Sequence, residues 1–331
     1  MTGPGGESPL PPGAGVLRTP DERFAALEGY PFEPRYVSVR AEGLAPLRMH
    51  YVESGPADGP VVLLLHGQPT WSYMYREMIS ELAGRGLRAV APDNIGFGRS
   101  DKPVLPTDYT MARHVQWLGT FVDALDLRDT TLVVHDWGGP IGLSVLAGAP
   151  QRFARVVATN TVVHTADPAL DGVLTWANHG IGDGRVVHQE ALLDYVLYCL
   201  RVPDLVASNL VYCATGRLPA AVSAAYDAPF PDRAHSAGLR QMTGLIPLTR
   251  NDPGAAIGRT TMEALARWER PFLTAFSDTD PATRGWETVF RRRVPGAAGR
   301  DHPVIAGAGH FVPEERGRDL GRIVAEFVAT S

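Results

Sequence analysis

The sequence predicts an α/β fold: a mostly parallel sheet of eight strands, covered by helices, with a helical cap inserted after the sixth strand. Three observations predict it. Apolar runs of strand length alternate with helical patterns from Val61 to Thr159. The alternation stops after Thr161 and returns at Phe272, and the stretch between shows helical patterns and loops without a clear strand. Turns rich in Gly, Pro and polar residues close the apolar runs, as expected of strands that end together on one edge of a parallel sheet.

The elements follow in order. Arg35 to Val39 and Leu47 to Val52, with Gly43 between them, read as an antiparallel pair at one sheet edge. Val61-Val62-Leu63-Leu64-Leu65 is continuously apolar, as in a strand buried on both faces. A helix from about Ser72 to Ala83 leads to a strand over Leu87 to Ala91. The segment from Asp108 to Leu125 is helical, with apolar residues at Met111, Val115, Leu118, Val122 and Leu125. The strand Thr131 to His135 and its helix, Pro140 to Ala147, precede a strand over Val156 to Thr159. Cap helices are expected over Gln189 to Leu200 and Ala220 to Ala225. The last elements are a strand over Phe272 to Phe276, a helix near Thr283 to Arg293, the strand Val304-Ile305 and a helix from Arg316 to Val328. The division predicted is a disordered Gly/Pro-rich tail over 1–20, a core over 21–161 and 265–331, and a cap over 162–264.

Composition narrows the function. The chain has 331 residues, 44% hydrophobic and 20% charged, enough for a large core. Its net charge of −5, with no long run of Lys or Arg, argues against a nucleic-acid partner. No apolar stretch reaches the roughly 18 residues of a membrane-spanning helix, and Met1 to Pro20 lacks the features of a signal peptide. Cys199 and Cys213 are expected as free thiols in a cytoplasmic protein. No His/Cys/Glu spacing suggests a metal site, and no Gly-x-Gly-x-x-Gly suggests a dinucleotide, so neither metal nor cofactor is expected.

The chemistry centres on Thr131-Leu132-Val133-Val134-His135-Asp136-Trp137-Gly138-Gly139. A strand, a tight turn and a helix in this order resemble the nucleophile elbow of α/β-hydrolases, which exposes one side chain above the strand ends. Asp136 occupies the position where Ser is usual, and Val134 stands where the motif has its first Gly. An acid at the elbow points to a carboxylate that attacks carbon directly. Asp136, Asp280 and His310 follow three apolar runs in the chain order nucleophile, acid, histidine. Within Ser277-Asp278-Thr279-Asp280-Pro281, Asp280 is preferred as the acid and Asp278 is the alternative. The oxyanion hole is expected from the backbone N–H groups of Trp137 and Gln68.

Four motifs make the resemblance specific. They are His66-Gly67-Gln68-Pro69-Thr70-Trp71-Ser72-Tyr73-Met74-Tyr75-Arg76, Pro92-Asp93 with Gly96-Phe97-Gly98-Arg99-Ser100-Asp101-Lys102-Pro103, Asp136-Trp137-Gly138-Gly139, and Ala228-Pro229-Phe230-Pro231-Asp232. Together they resemble haloalkane dehalogenases of the Asp-His-Asp subfamily, from Arg18 onward, with the cap the weakest part. Gln68 departs from the Glu usual there. The resemblance implies that Asp136 displaces halide from carbon, that His310 activates the water that hydrolyses the resulting ester, and that the oxyanion hole serves that ester. It implies a small halogenated hydrocarbon and water as the only partners, and a monomer. It also implies a halide cradle of two indoles. Trp137 supplies the first. The second falls at Tyr195 by position, or at Trp176 if the cap carries an insertion. An epoxide hydrolase, with Tyr195 as the acid, is the alternative reading, and a catalytically silent binding relative is a third.

Overall fold

A computed structural model of the chain describes residues 15–167, 178–181, 184–187, 190–216 and 218–331. Seven strands form the main sheet: β1 Arg35–Val39, β2 Leu47–Ser54, β3 Val61–Leu65, β4 Arg88–Pro92, β5 Thr130–Asp136, β6 Phe153–Thr161 and β7 Phe272–Thr274. Their spatial order is β7-β6-β5-β3-β4-β2-β1. The five strands β7, β6, β5, β3 and β4 run parallel, and β2 and β1 complete the edge antiparallel.

Both faces of the central strands are dry, and so these strands read as unbroken apolar runs. Successive side chains go to opposite faces. Leu63, Leu65, Leu132, Val134, Val156 and Ala158 join one core with the helices Met111–Ala124 and Gly138–Gly148. Val62, Leu64, Val133 and Val157 join the other with the helices Arg76–Gly84 and Gly317–Thr330.

The structure corrects four expectations. The main sheet has seven strands, because Val304–Ile305 does not pair with β7. It pairs in parallel with Phe276–Ser277, beyond a break at Ala275, while the His302 ring takes the Thr274 N–H that a neighbouring strand would have bonded. The cap is not all helical: Asn178–Ile181 and Gly184–Val187 pair as antiparallel strands. Gly182 and Asp183, the two residues between them in the sequence, are a hairpin signal that the helical reading passed over. The helix Pro253–Leu265 packs on the core helix Gly138–Gly148, with Ser144 Oγ 2.8 Å from Thr261 Oγ1, so the predicted boundary at 264 cuts through a core helix. A parallel sheet requires such a crossover helix between β6 and β7. Finally, residues 16–19, assigned to the tail by the sequence, are bound to the core. Val16–Leu17 pairs with Lys102–Pro103, Arg18 bonds Asp101 at 2.7 Å, and Thr19 Oγ1 donates to the Pro229 carbonyl.

Cap helices in the insertion are Glu190–Arg201, Ala207–Thr215, Ala220–Asp227 and Ala237–Gly244. Trp71 Nε1 donates to the Ala225 carbonyl, and Tyr226 and Arg76 both bond Glu314, which clamps the helix Ala220–Asp227 to the core. Among the described residues no helix is long and apolar enough to cross a membrane. Cys199 is buried, Cys213 is exposed, and neither is in a disulfide.

One buried carboxylate sets the two loops beneath the site. Asp93, at the end of β4, accepts from the Ser72 and Arg99 backbone N–H groups at 2.8 Å each and lies 2.7 Å from His50 Nδ1. The adjacent Asn94 bonds His66 through both its backbone N–H and its side chain. Burial alone would raise the Asp93 pKa, but His50, His66 and the Ser72 hydrogen bond hold it well below the usual carboxylate range. A depressed pKa stabilises the fold above the ordinary value of 3.8 and loses that contribution as pH falls. Asp93→Asn should therefore destabilise the protein at neutral pH, by about 1–3 kcal/mol for each donor left without its acceptor. The deficit should shrink below pH 3.8. Urea unfolding at the two pH values checks this, and an equal deficit at both would contradict it.

Candidate active site

The site is built on the turn between β5 and the helix Gly138–Gly148. Asp136 has φ of +49°, a left-handed conformation that a non-glycine residue adopts only where its surroundings hold it. Thr161 Oγ1 fixes it by donating to its carbonyl at 2.6 Å. The tight turn demands bare backbone around it. A Cβ on Gly67 would lie 2.0 Å from Asp136 Oδ1, and one on Gly138 would lie 2.1 Å from the Leu65 carbonyl oxygen. These contacts explain Gly138 in the elbow and Gly67 in the loop that faces it.

The carboxylate is gripped at both oxygens. Gln68 N–H donates to Asp136 Oδ1 at 2.7 Å, and the Trp137 N–H, at the helix N-terminus, also bonds the carboxylate. Asp136 Oδ2 lies 3.3 Å from His310 Nε2. On its other side His310 Nδ1 lies 3.1 Å from Asp280 Oδ1. Asp280 is buried and also accepts from Ala282 N–H, Thr283 N–H and the Thr283 hydroxyl. Asp278 is exposed and accepts from Gly307 N–H instead, so Asp280 is the acid that faces His310.

Electrostatics follow from burial and these contacts. Burial by itself would lower the His310 pKa, but the Asp280 charge and the hydrogen bonds to Asp136 and Asp280 raise it to about 10. Burial would likewise raise both carboxylates. The His310 contacts overcome this for Asp136, and with the Thr283 and Ala282 hydrogen bonds they hold Asp280 well below the usual range.

Above Asp136 lies a cavity of about 340 Å³. Val162, Leu210, Ile246 and Phe311 give it apolar walls. Trp137, Gln68 and Tyr195 line it together with Asp136 and His310. Tyr195 stands where the sequence places it, but its hydroxyl donates to Gln68 Oε1 at 2.6 Å. Burial keeps that phenol well above its ordinary pKa, so its one proton is committed to Gln68. Gln68 Nε2 in turn lies 3.8 Å from Cys199 Sγ. Trp176 lies outside the described residues.

Sequence reasoning missed several residues that the structure brings to the site. His164 lines the cavity with its ring centroid 5.0 Å from that of Trp137. Its signal was a polar residue immediately after the apolar pair Val162-Val163. Thr283 supports Asp280, and Cys213 stands in the cavity wall. No group of three or more His, Cys, Asp or Glu side chains that could hold a metal occurs among the described residues.

A carboxylate on the strand–helix elbow, an acid–histidine pair at the next strand ends and two backbone donors at its oxygen define an α/β-hydrolase with Asp at the nucleophile position. The alpha/beta hydrolase fold family matches residues 60–194. The chain is 41% identical to a haloalkane dehalogenase of Psychrobacter cryohalolentis, over 95% of this chain and 98% of that one. It is 46% identical to haloalkane dehalogenase 1 of Mycobacterium tuberculosis, over 92% of this chain and 96% of that one. The solved tetrameric haloalkane dehalogenase DpaA of Paraglaciecola agarilytica NO2 superposes with a TM-score of 0.82 at 31% identity, covering 96% of this chain and 98% of that one. The chain belongs to the haloalkane dehalogenase family.

The raised pKa of His310 has a thermodynamic consequence. A group protonated more readily in the folded state stabilises it fully below its unfolded value, near 6.5, and loses that contribution as pH rises through about 10. The stability advantage of the wild-type protein over His310→Phe should therefore narrow between these pH values. Denaturant midpoints measured across the interval check it, and a constant advantage would contradict it.

Proposed function

We propose that this chain hydrolyses haloalkanes to an alcohol and halide through an ester on Asp136. One observation carries the reading: the elbow presents a carboxylate, already charged, to an apolar cavity. A serine there would have to lose its proton to His310 before attacking, whereas Asp136 attacks carbon without proton transfer.

In the first step Asp136 Oδ2 displaces the halide from carbon, forming the C–O bond as the C–halogen bond breaks. Trp137 borders the cavity beside Asp136, and its indole N–H is the leaving-group donor. Forming the ester removes the Asp136 charge that helps hold a proton on His310, so in the second step the neutral imidazole takes a proton from water, and the hydroxide attacks the ester carbonyl carbon. The Gln68 and Trp137 backbone N–H groups, already on the Asp136 carboxylate, stabilise the developing oxyanion. Collapse of the tetrahedral intermediate passes the proton on His310 to the departing alcohol oxygen, and loss of the remaining acid proton restores the carboxylate. Asp280 holds the His310 ring and stabilises its charge when it takes the proton. We assign Tyr195 a supporting part rather than the direct donation expected from its position, since its proton goes to Gln68 Oε1.

An epoxide hydrolase would need the Tyr195 proton for the departing alkoxide, and the bond to Gln68 disfavours that reading. We also read the protein as a monomer acting in the cytoplasm. Two free thiols suit a reducing compartment, and the tetramer described for the P. agarilytica relative is the alternative assembly.

His310→Gln should release one equivalent of halide and then stall as a covalent adduct on Asp136, visible by mass spectrometry. An unmodified protein after exposure to a reactive bromoalkane would sink the two-step scheme. Trp137→Phe should slow halide release by roughly 10²-fold, the scale of one aimed donor in a dry site. Tyr195→Phe should cost only about 0.5–1.5 kcal/mol, the net worth of its hydrogen bond. A panel of bromoalkanes and epoxides, with halide and diol both assayed, decides between the reactions. Diol formation lost in Tyr195→Phe but kept in Trp137→Phe, with no bromide from any substrate, would overturn the assignment.

A further inference from the structure

His135, the residue before the nucleophile, is fully buried and has no part in the two steps above. Its Nε2 lies 2.8 Å from the main-chain carbonyl oxygen of His310. A carbonyl only accepts, so Nε2 carries the proton and donates it. Its Nδ1 has no partner among the described residues, consistent with that tautomer. Its ring also packs against the rings of His310 and Phe311, with centroids 5.0 Å and 5.8 Å away.

We propose that His135 is a positioning residue for the hydrolytic step: by holding the His310 carbonyl it sets the His310 imidazole against Asp136, where water attacks the ester. The proposal rests on the two-step reading given above.

The geometry forms a closed ring. Asp136 and His135 are neighbours at the end of β5, and both grip His310. His135 takes its backbone, and Asp136 meets its imidazole at 3.3 Å. The distance from base to nucleophile is thereby spanned by one peptide unit and one hydrogen bond, independent of the long chain path between them.

Two other donors reach the same carbonyl, and neither replaces His135. Asn160 Nδ2 lies 2.9 Å from it but also serves Gly309 O and Ser277 Oγ, three acceptors for two hydrogens. Val312 N–H is longer, at 3.1 Å. Burial, and then the nearby His310 charge, lower the His135 pKa to about 4, so the imidazole stays neutral and keeps one donor on Nε2 at neutral pH.

The position matters for one step only. Attack by Asp136 on the substrate needs no base, whereas water activation needs His310 in place. Stopped-flow measurement of the halide burst and of steady-state turnover separates the two. In His135→Leu the burst should keep its wild-type rate and amplitude. kcat should fall by roughly 10²-fold, the loss expected for a misplacement of about 1 Å, with the Asp136 ester accumulating. His135→Gln, whose amide nitrogen reaches as far as Nε2, should restore turnover. His135→Asn, whose nitrogen reaches only as far as Nδ1, should not. This pair still decides the matter if the leucine variant fails to fold. Unchanged turnover in His135→Leu, a burst slowed in proportion to turnover, or equal turnover in the Gln and Asn variants would overturn the proposal. Absence of a one-equivalent halide burst in His310→Gln would overturn the two-step reading, and this proposal with it.

Discussion

A carboxylate held at φ of +49° is the constraint on which the rest of the structure depends. Left alone, an aspartate at a strand end would relax to an ordinary conformation and turn its side chain towards solvent. Here the helix Gly138–Gly148 packs against β3 through a glycine, the Thr161 hydroxyl pins the carbonyl, and Gln68 meets the side chain from the facing loop. The cost of the left-handed backbone is of order 1–3 kcal/mol. It persists because the parallel sheet on both sides leaves the turn nowhere else to go. The same turn aims one carboxylate oxygen at His310 and leaves the other with the backbone donors, which is the asymmetry that the two-step chemistry needs.

Much of this was legible in the sequence where the physics is local. Continuous apolar runs marked β3, β5 and β6 because both faces of a parallel strand are buried. The elbow was legible because it needs small residues at fixed spacing, and Asp136, Trp137, Gln68 and His310 followed from it. What failed was what depends on partners far along the chain. Val304–Ile305 looked like an eighth strand, and nothing local shows that the His302 ring takes the bonding edge of β7. Asp280 was preferred to its chemically similar neighbour Asp278 on a local turn signal, whereas what separates them in the fold is burial against His310. Tyr195 lines the cavity, but its hydroxyl partner lies 127 residues away in sequence. No periodicity reports such a pair.

The loops below the site and the cap above it are held by different means. Below, Asp93 and Asn94 bind the His66-to-Ser72 loop through buried hydrogen bonds whose donors are mostly backbone groups. Above, the cap meets the core through side chains: Tyr226 and Arg76 on Glu314, Trp71 on the Ala225 carbonyl, and Thr19 and Arg23 on the backbone of the Pro229 turn. Backbone bonds specify a loop whatever the neighbouring side chains are. Side-chain clamps let a cap of different length or composition sit on the same core.

The bond from Tyr195 to Gln68 joins these two systems. It runs from a cap helix to the residue whose backbone N–H meets the Asp136 carboxylate. Thermodynamic reciprocity then applies: whatever free energy the Tyr195 bond lends to the position of Gln68, the Gln68 contact on Asp136 lends back to the position of Tyr195. Displacing the Tyr195 helix and displacing the Gln68 loop are therefore coupled movements.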